Sequence, residues 1–538
     1  MRILITEKIA ADSVAYLREQ GFAVDEKLGL SQTEIEQAVD AYDALIVRSV
    51  TQVNRSLLAQ AAQLKVVGRA GNGTDNIDVP ACTEKGIIVV NTPEANIMAA
   101  GELAVGLAFA VFRNICAANA AAHQDDFRRG RLIGHELEGK VAGVIGMGRI
   151  GSIVARKLKG IGMTVVAYDP YIPAERFDKL GVTRCDVLDD LLRQADLITL
   201  HTPKTKETYN MLDAQRLARC KPGVRIVNAA RGGLVNEEAL CEALKSGHVA
   251  GAAIDVLDQE PSYDKKPGDQ QYQNILLGQA NCIITPHLGA STHEANANVG
   301  TAVTELVAKA LNGELVCAVN MPAVSGSLAE LKPYLSLCEK LGAIYYQAES
   351  ARIRKVEIIY SGELAGKETS FLSLSVLKGF LSTITNERIS YVNVKQNLTA
   401  MGVEVVESKT TNLEKYTNLV TVRFVSEEKT LSVSGTVFGK DTEVLVDFFG
   451  YHMDFELSPY VLAMQNNDVP GIIGRVGTLL GQQDINIATM HWSRKKDKMR
   501  AQSFLSIDSP VDEKTLDALR GIAGVLRVSV LNFSALGN

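Results

Sequence analysis

"VAGVIGMGRIG", residues 141–151, is the stretch on which the reading of this chain turns. An apolar strand run ends in Gly146, Gly148 and Gly151, spaced G-x-G-x-x-G, and a helical pattern follows at once. Each glycine has its own physical task. Gly146 permits a tight turn, Gly148 lets the backbone come close to a pyrophosphate, and Gly151 allows the helix to pack tightly on the strand. The amides near Arg149 and Ile150 then present a helix N-terminus to phosphates. The spacing alone is a weak signal; strand, helix and acid in the right places strengthen it. That acid is Asp169, 18 residues after Gly151 at the end of the next strand run, where a carboxylate can accept ribose hydroxyls. The nearest following arginine is Arg176, too late to hold a 2′-phosphate, so NAD is preferred over NADP. A purely structural glycine turn is the alternative.

Outward from this motif the chain keeps an α/β rhythm. Downstream strand candidates are "TVVAYD", "ADLITLHTP", "VRIVNAA", "GAAIDV" and "CIITPH", and residues 293–311 read as a helix. Upstream, residues 1–93 alternate helical stretches with "RILIT", "ALIVRS", "LKVVGRA" and "GIIVVNTP". Runs apolar on both faces suit a parallel sheet covered by helices. One long Ala-rich helix is expected from about Glu94 to His123. After Pro322 the texture turns β-rich, and the last 80 residues read strand, helix, strand, strand, helix, strand, the ferredoxin-like order. The expected architecture is two doubly wound parallel-sheet domains, flavodoxin-like and Rossmann, followed by an α+β domain and a βαββαβ domain. The expected boundaries are 1–97 plus 288–315, 98–287, 318–455 and 457–538.

Composition sets the outer limits. A length of 538 residues calls for three to four domains, and a net charge of −6 gives no reason to expect a nucleic-acid or anionic-membrane partner. The most basic run, "SRKKDKMR" at 493–500, reads as a solvated loop between strands. Eight scattered cysteines lack C-x-x-C pairs and metal-ligand spacing, so they read as reduced residues of a cytoplasmic protein, and no metal is expected. "MRILITEK" has no signal-peptide core, and the longest apolar tract, 97–112, carries Glu102 and is too short to span a bilayer.

Chemistry concentrates at strand ends in the middle of the chain, where doubly wound sheets bind ligands. Arg231 follows "VNAA", Asp255 and Glu260 follow "GAA", and His287 follows "IIT" with Pro286 breaking the chain just before it. An arginine can clamp a carboxylate through two parallel hydrogen bonds. A histidine can take or return a hydroxyl proton near neutral pH, and a neighbouring Glu fixes its ring. Together these meet the needs of hydride exchange at the carbinol carbon of a 2-hydroxy acid. His201, in "HTP", is expected to line the cofactor; the other six histidines read as surface or packing residues.

"GVIGMGRIGS", "VNAARGGLVNEEAL", "AAIDVLDQEP" and "TPHLGAST" together resemble the D-isomer-specific 2-hydroxyacid dehydrogenases. "VRSVTQVN", "VGRAGNGTDNID" and "VVNTPEAN" are similar to the branch that oxidises 3-phosphoglycerate, and the tail resembles that branch's intervening and ACT domains. The resemblance implies NAD-linked oxidation of 3-phosphoglycerate to 3-phosphohydroxypyruvate, the first step of L-serine synthesis. By motif match it implies that Arg231 binds the substrate carboxylate, His287 is the acid/base and Glu260 its partner. It places Asn72, Arg149, Ile150, Asp169, Thr202, Ala229, Ala230, Asp255, Gly289 and Ala290 at cofactor positions, with Arg231 and His287 beside them. Arg48 and Arg69 would grip the substrate phosphate, with Asn72 and Gly73 alongside and Arg129 adding a contact across a dimer. A homo-oligomer, dimer or tetramer, is expected. The connection 260–275 is longer than many relatives have. Another 2-hydroxy or 2-oxo acid reductase, or an NAD-sensing corepressor on the same fold, is an alternative reading of the same residues.

The tail carries no catalytic constellation. "NNDVPG" joins a strand end to a helix N-terminus, whose free amides and positive dipole end suit an amino acid's carboxylate. Asp468 would bind the ammonium, and Asn466 and Asn486 would supply amide hydrogen bonds. The resemblance makes L-serine the expected effector, against a pairing module that binds nothing.

Overall fold

The computed structural model describes residues 1–261, 269, 272–322, 328–385, 387–413, 415–494, 499–534 and 536. Four sheets succeed one another along the chain. The first contains β1 (Arg2–Ile5), β2 (Ala23–Glu26), β3 (Ala44–Val47), β4 (Val66–Arg69) and β5 (Ile88–Asn91) in the order β2-β1-β3-β4-β5, all parallel. This is the flavodoxin-like order of the expected architecture. Ile3, Leu4, Ile5, Ala44, Leu45, Ile46 and Val47 are fully buried, which is why these strands are apolar on both faces. Helix His293–Leu311 packs against β4, β5 and helix Ala11–Glu19, so a segment from beyond residue 290 completes this unit. β2 is half polar, and no apolar run in the sequence marks it.

The second sheet holds β6 (Val141–Ile145), β7 (Thr164–Tyr168), β8 (Thr183–Arg184), β9 (Leu197–Leu200), β10 (Val224–Asn228), β11 (Val249–Ile254) and β12 (Cys282–Ile284). Its order, β12-β11-β10-β9-β6-β7-β8, is parallel throughout and reverses direction at β6 and β9. That reversal opens a crevice at the carboxyl ends of β6 and β9, where the glycine turn sits.

The expected single helix from 94 to 123 is two helices, Ile97–Phe112 and Ile115–Ala122. Asn114, at φ 53°, breaks them, because a left-handed residue cannot continue a right-handed helix. Only taken together are they long and apolar enough to cross a membrane, and they are bent by 63°. Among the described residues no single helix is long and apolar enough to cross a membrane.

The third sheet contains β13 (Ile353–Gly362), β14 (Glu404–Thr410), β15 (Asn418–Ser426), β16 (Thr430–Phe438), β17 (Thr442–Phe448) and β18 (Tyr451–Glu456). Its order is β14-β13-β15-β16-β17-β18, parallel only between β13 and β14. Helices Leu328–Ala348 and Ser370–Ser382 lie on one another, with Gly342 against the Val376 carbonyl. The fourth sheet, β19 (Tyr460–Asn467), β20 (Ile487–Arg494), β21 (Arg500–Ile507) and β22 (Val525–Asn532), has the order β20-β21-β19-β22. With helices Ile472–Gln482 and Glu513–Arg520 it forms βαββαβ. Alternate residues of β19 divide its burial: Leu462 and Met464 face those helices, while Val461 and Ala463 join the core of the third sheet's domain. Phe504 seals that junction against Phe448 at 4.9 Å and Phe455 at 5.6 Å between ring centroids. The basic run between β20 and β21 lies partly outside the described residues, as does the long 260–275 connection.

Candidate active site

At the end of β6, Gly146 adopts φ 93°, and a Cβ there would lie 2.6 Å from the His201 carbonyl oxygen. A Cβ at Gly151 would run into the Gly146 carbonyl. Both positions therefore require glycine, for backbone conformation at the first and for contact at the second. A Cβ at Gly148 would meet nothing within 4 Å, which leaves open space above the N-terminus of helix Arg149–Gly160. Asp169 braces the same turn: its Oδ2 accepts the Met147 N–H at 2.8 Å and its Oδ1 accepts the Tyr171 N–H at 3.0 Å. Open space, unblocked helix-start amides and a nearby carboxylate fit a dinucleotide. Arg149 is paired with Glu94 across the cleft at 2.9 Å, both side chains well exposed. Thr202 is half-buried beside the turn, its methyl 2.8 Å from a Cβ placed on Gly146. His201 lies under the turn with Nε2 2.9 Å from Thr199 Oγ1, and burial draws its pKa down to about 4.

The second group forms at the ends of β10, β11 and β12. Asn228 closes a tight loop by accepting the Ala230 N–H at 3.1 Å and donating to the Arg231 carbonyl at 2.9 Å. This turns Ala229 and Ala230 toward the crevice and projects Arg231 across it. The Arg231 guanidinium reaches the other sheet's loop, where a Cβ on Gly73 would lie 2.5 Å from Nη2 and Asp75 Oδ2 is 3.5 Å from Nε.

Asp255 is only 2 % exposed and organises the histidine loop. Its Oδ1 accepts Thr285 Oγ1 at 2.5 Å and the Leu288 N–H at 2.8 Å, its Oδ2 accepts the Gly289 N–H at 3.0 Å, and its carbonyl accepts the His287 N–H at 2.9 Å. These bonds hold His287 at φ 54°, a conformation that non-glycine residues seldom adopt. The family resemblance gives Asp255 to the cofactor; in this structure its carboxylate is committed to the loop that carries His287 and Ala290. His287 Nδ1 lies 2.8 Å from Glu260 Oε1, with both side chains about one-third exposed.

The third group sits on the first sheet. Arg69, at the end of β4, donates Nε to Asn76 Oδ1 at 3.1 Å and Nη1 to the Ala70 carbonyl at 2.9 Å. Burial draws Arg69 down to about 10; the Glu7 carboxylate opposes that shift, and the neighbouring charges of Arg48 and Arg231 add to it. Arg48, at the end of β3, donates Nη2 to Asn296 Oδ1 at 2.8 Å and Nη1 to the Lys8 carbonyl at 3.3 Å. Three guanidiniums thus gather across the cleft. Asn72 is held by its carbonyl, which accepts Asn91 Nδ2 at 2.6 Å. Glu7, Asn76 and Asn296 are not singled out by the sequence; Glu7 follows the carboxyl end of β1, the same positional signal that marks Arg231 and His287. Arg129 stands apart from this cluster, exposed on the turn Arg129–Leu132.

In the tail, Asp468 is paired with Arg494 at 3.1 Å, and Asn486 Nδ2 donates to Asp508 at 2.8 Å. Asn466 is 1 % exposed; its Nδ2 donates to the Asn467 carbonyl at 2.7 Å, while its Oδ1 has no hydrogen-bond partner among the described residues.

The domains of this chain match those of known proteins. Residues 105–289 match the model of the D-isomer specific 2-hydroxyacid dehydrogenase NAD-binding domain. Residues 330–449 match the D-3-phosphoglycerate dehydrogenase intervening domain, and 460–524 match the ACT domain. D-3-phosphoglycerate dehydrogenase of Methanocaldococcus jannaschii is 41% identical over 534 residues, covering 99% of this chain and 100% of that protein. The Bacillus subtilis protein of the same name is 36% identical, with 99% of each chain covered. Among solved structures, D-lactate dehydrogenase from Aquifex aeolicus, complexed with NAD and lactic acid, is 25% identical with a TM-score of 0.53. It covers 60% of this chain and is itself covered completely.

Proposed function

Because the chain belongs to the D-3-phosphoglycerate dehydrogenase family, we propose that its cleft oxidises 3-phospho-D-glycerate to 3-phosphohydroxypyruvate with NAD, opening L-serine synthesis. The observation that carries this reading is the cation cluster. Arg231 suffices for the carboxylate of any 2-hydroxy acid, whereas Arg48 and Arg69 add a second anion site near enough for their charges to influence one another. A substrate with a carboxylate at one end and a phosphate at the other matches that arrangement.

In this reading residues 1–97 with 288–315 bind substrate and 98–287 bind NAD, while 318–455 and 457–538 are the intervening and regulatory units. The glycine turn receives the pyrophosphate on the amides of Arg149 and Ile150, and Asp169 accepts the ribose hydroxyls. Bound NAD supplies the hydride acceptor. Arg231 orients the substrate carboxylate and polarises the carbonyl that forms beside it. His287 takes the hydroxyl proton at Nε2, with Nδ1 held by Glu260 so that the ring stays aimed at the carbinol. Asp255 fixes the strained loop that presents it.

Two further parts of the reading concern assembly and control. Phe109, Ile115, Phe127 and Ile133 are exposed around the two Ala-rich helices, a face suited to a second copy of the chain, with Arg129 at its edge. L-serine binds the tail at Asn466, Asp468 and Asn486, with Asp468, now paired with Arg494, receiving its ammonium and the two asparagines supplying amide hydrogen bonds. The eight unpaired cysteines fit a reducing, cytoplasmic compartment. Steady-state NADH production tests the central point. The expected order is 3-phosphoglycerate with NAD far above D-glycerate with NAD, and NAD above NADP. No turnover on either acid would favour an NAD-sensing scaffold. Serine titration of the same assay tests the effector reading, and light scattering of Phe127→Asp tests the assembly.

A further inference from the structure

We infer that Glu7 is a positioning residue for phosphate recognition, acting through Arg48; this rests on the proposed reaction. Its carboxylate, just past the end of β1, gathers four consecutive backbone amides from the neighbouring strand end. Oε1 accepts the N–H of Arg48 at 2.9 Å and of Thr51 at 3.1 Å; Oε2 accepts those of Ser49 at 3.0 Å and Val50 at 3.1 Å. Successive amides converging on one anion form a nest, and here the anion belongs to the protein itself.

Ser49 and Val50 are exposed, so water could satisfy their amides without any carboxylate. The work of Glu7 is therefore to fix the path of the loop rather than to rescue buried donors. That path sets where Arg48 begins. From the other side Asn76 Nδ2 donates to the carbonyls of Arg48 at 2.9 Å and Thr51 at 2.6 Å, and it also connects the loop to Arg69 through its Oδ1. The Arg48 guanidinium is then guided by Asn296 Oδ1 and the Lys8 carbonyl. A loop pinned in this way keeps Arg48 and Arg69 at a fixed separation, which is what a phosphate requires of two cations.

Glu7→Gln keeps the size but turns an NH2 group toward two of the four donors, so the nest must open. The measurement is NADH-dependent reduction of 3-phosphohydroxypyruvate against hydroxypyruvate, which lacks the phosphate. Glu7→Gln should lower kcat/KM for the phosphorylated substrate by about tenfold, mostly through KM, and for hydroxypyruvate by less than about threefold; weakening one charge-assisted hydrogen bond to the phosphate has an effect of that size. In an Arg48→Ala background the same change should reduce the phosphate preference no further. Glu7→Asp, one methylene shorter, keeps the charge and should give an intermediate loss, and it carries the test if Glu7→Gln does not fold. Equal losses on both substrates, or losses that add to those of Arg48→Ala, would overturn the inference. If Arg48→Ala leaves the preference for the phosphorylated substrate unchanged, the phosphate reading is at fault rather than the role of Glu7.

Discussion

The glycine turn of the second sheet and the arginine cluster of the first are both built at carboxyl ends of parallel strands, yet they are held in different ways. The turn is fixed by what the backbone permits: Gly146 at φ 93° and Gly151 against a carbonyl leave no room for any side chain. The cluster is fixed by polar groups far apart in sequence. Glu7 holds Arg48 across 41 residues, and Asn296 holds it across 248. Conformational demand is absolute and local, so one wrong residue breaks the turn. Polar pinning is distributed, so single substitutions should weaken selectivity while leaving the fold and the chemistry in place. The histidine loop combines both: its φ is strained, and the Asp255 carboxylate maintains it.

That contrast can be sharpened by mutation. The largest expected effect is at the proton-transfer group. His287→Asn keeps much of the shape and removes the base, so turnover should fall by about two to four orders of magnitude while NAD binding, read by calorimetry, survives. Substantial retained turnover would assign His287 to the loop's structure alone. Next comes the backbone-held turn. Gly151→Ala must push the helix from the Gly146 carbonyl, an overpacking cost of about 1–3 kcal/mol, and NAD affinity should drop about tenfold or more. If NAD binds as before, contact at this position does not set the cradle. A smaller change is expected at Asp169. Asp169→Ser removes an acceptor for the ribose and a brace for Met147, so the NAD to NADP efficiency ratio should narrow by about tenfold. An unchanged ratio would leave Asp169 only the bracing role.

The smallest effect concerns pH. Unfolded His201 takes its proton near 6.5, whereas burial holds the folded imidazole neutral down to about 4. Between those values the unfolded state binds the extra proton, so stability is lost as pH falls through that window and is fully present above it. The loss is at most about 3 kcal/mol. Thermal unfolding at pH 7 and pH 4.5 should show a larger drop for the wild type than for His201→Gln. Equal drops would mean that other groups carry the acid sensitivity.

The same division explains what could be read from the sequence. The glycine spacing, the strand runs and the Arg231, Glu260 and His287 strand ends are short-range signals, and the two parallel sheets followed from them. β2 is not legible because it is half polar, nor is the break at Asn114, because a left-handed asparagine leaves no mark in an Ala-rich run. The helices Leu328–Ala348 and Ser370–Ser382 are hard to read among β-rich runs, since the first contains Pro333 and the second is buried over most of its surface and shows no one-sided apolar stripe. Glu7 escaped for a different reason. The resemblance marks Arg48 and Arg69, but a carboxylate whose partners are backbone amides of a loop 41 residues away leaves no pattern of its own. Applying the strand-end rule to the first sheet as well as the second would have marked it. Asp255 shows the opposite limit: its position was legible, its hydrogen bonds to the histidine loop were not.

The central claim is that the first sheet reads a phosphate through paired arginines while the second performs the hydride chemistry. The most direct test is the ratio of kcat/KM for 3-phosphoglycerate to that for D-glycerate, measured with NAD in the wild type and in Arg69→Ala. Removing one charge-assisted hydrogen-bond donor should collapse that ratio by about ten- to a hundredfold, almost entirely through the phosphorylated substrate. Equal losses on the two substrates would contradict the claim and return Arg69 to the packing of the first sheet.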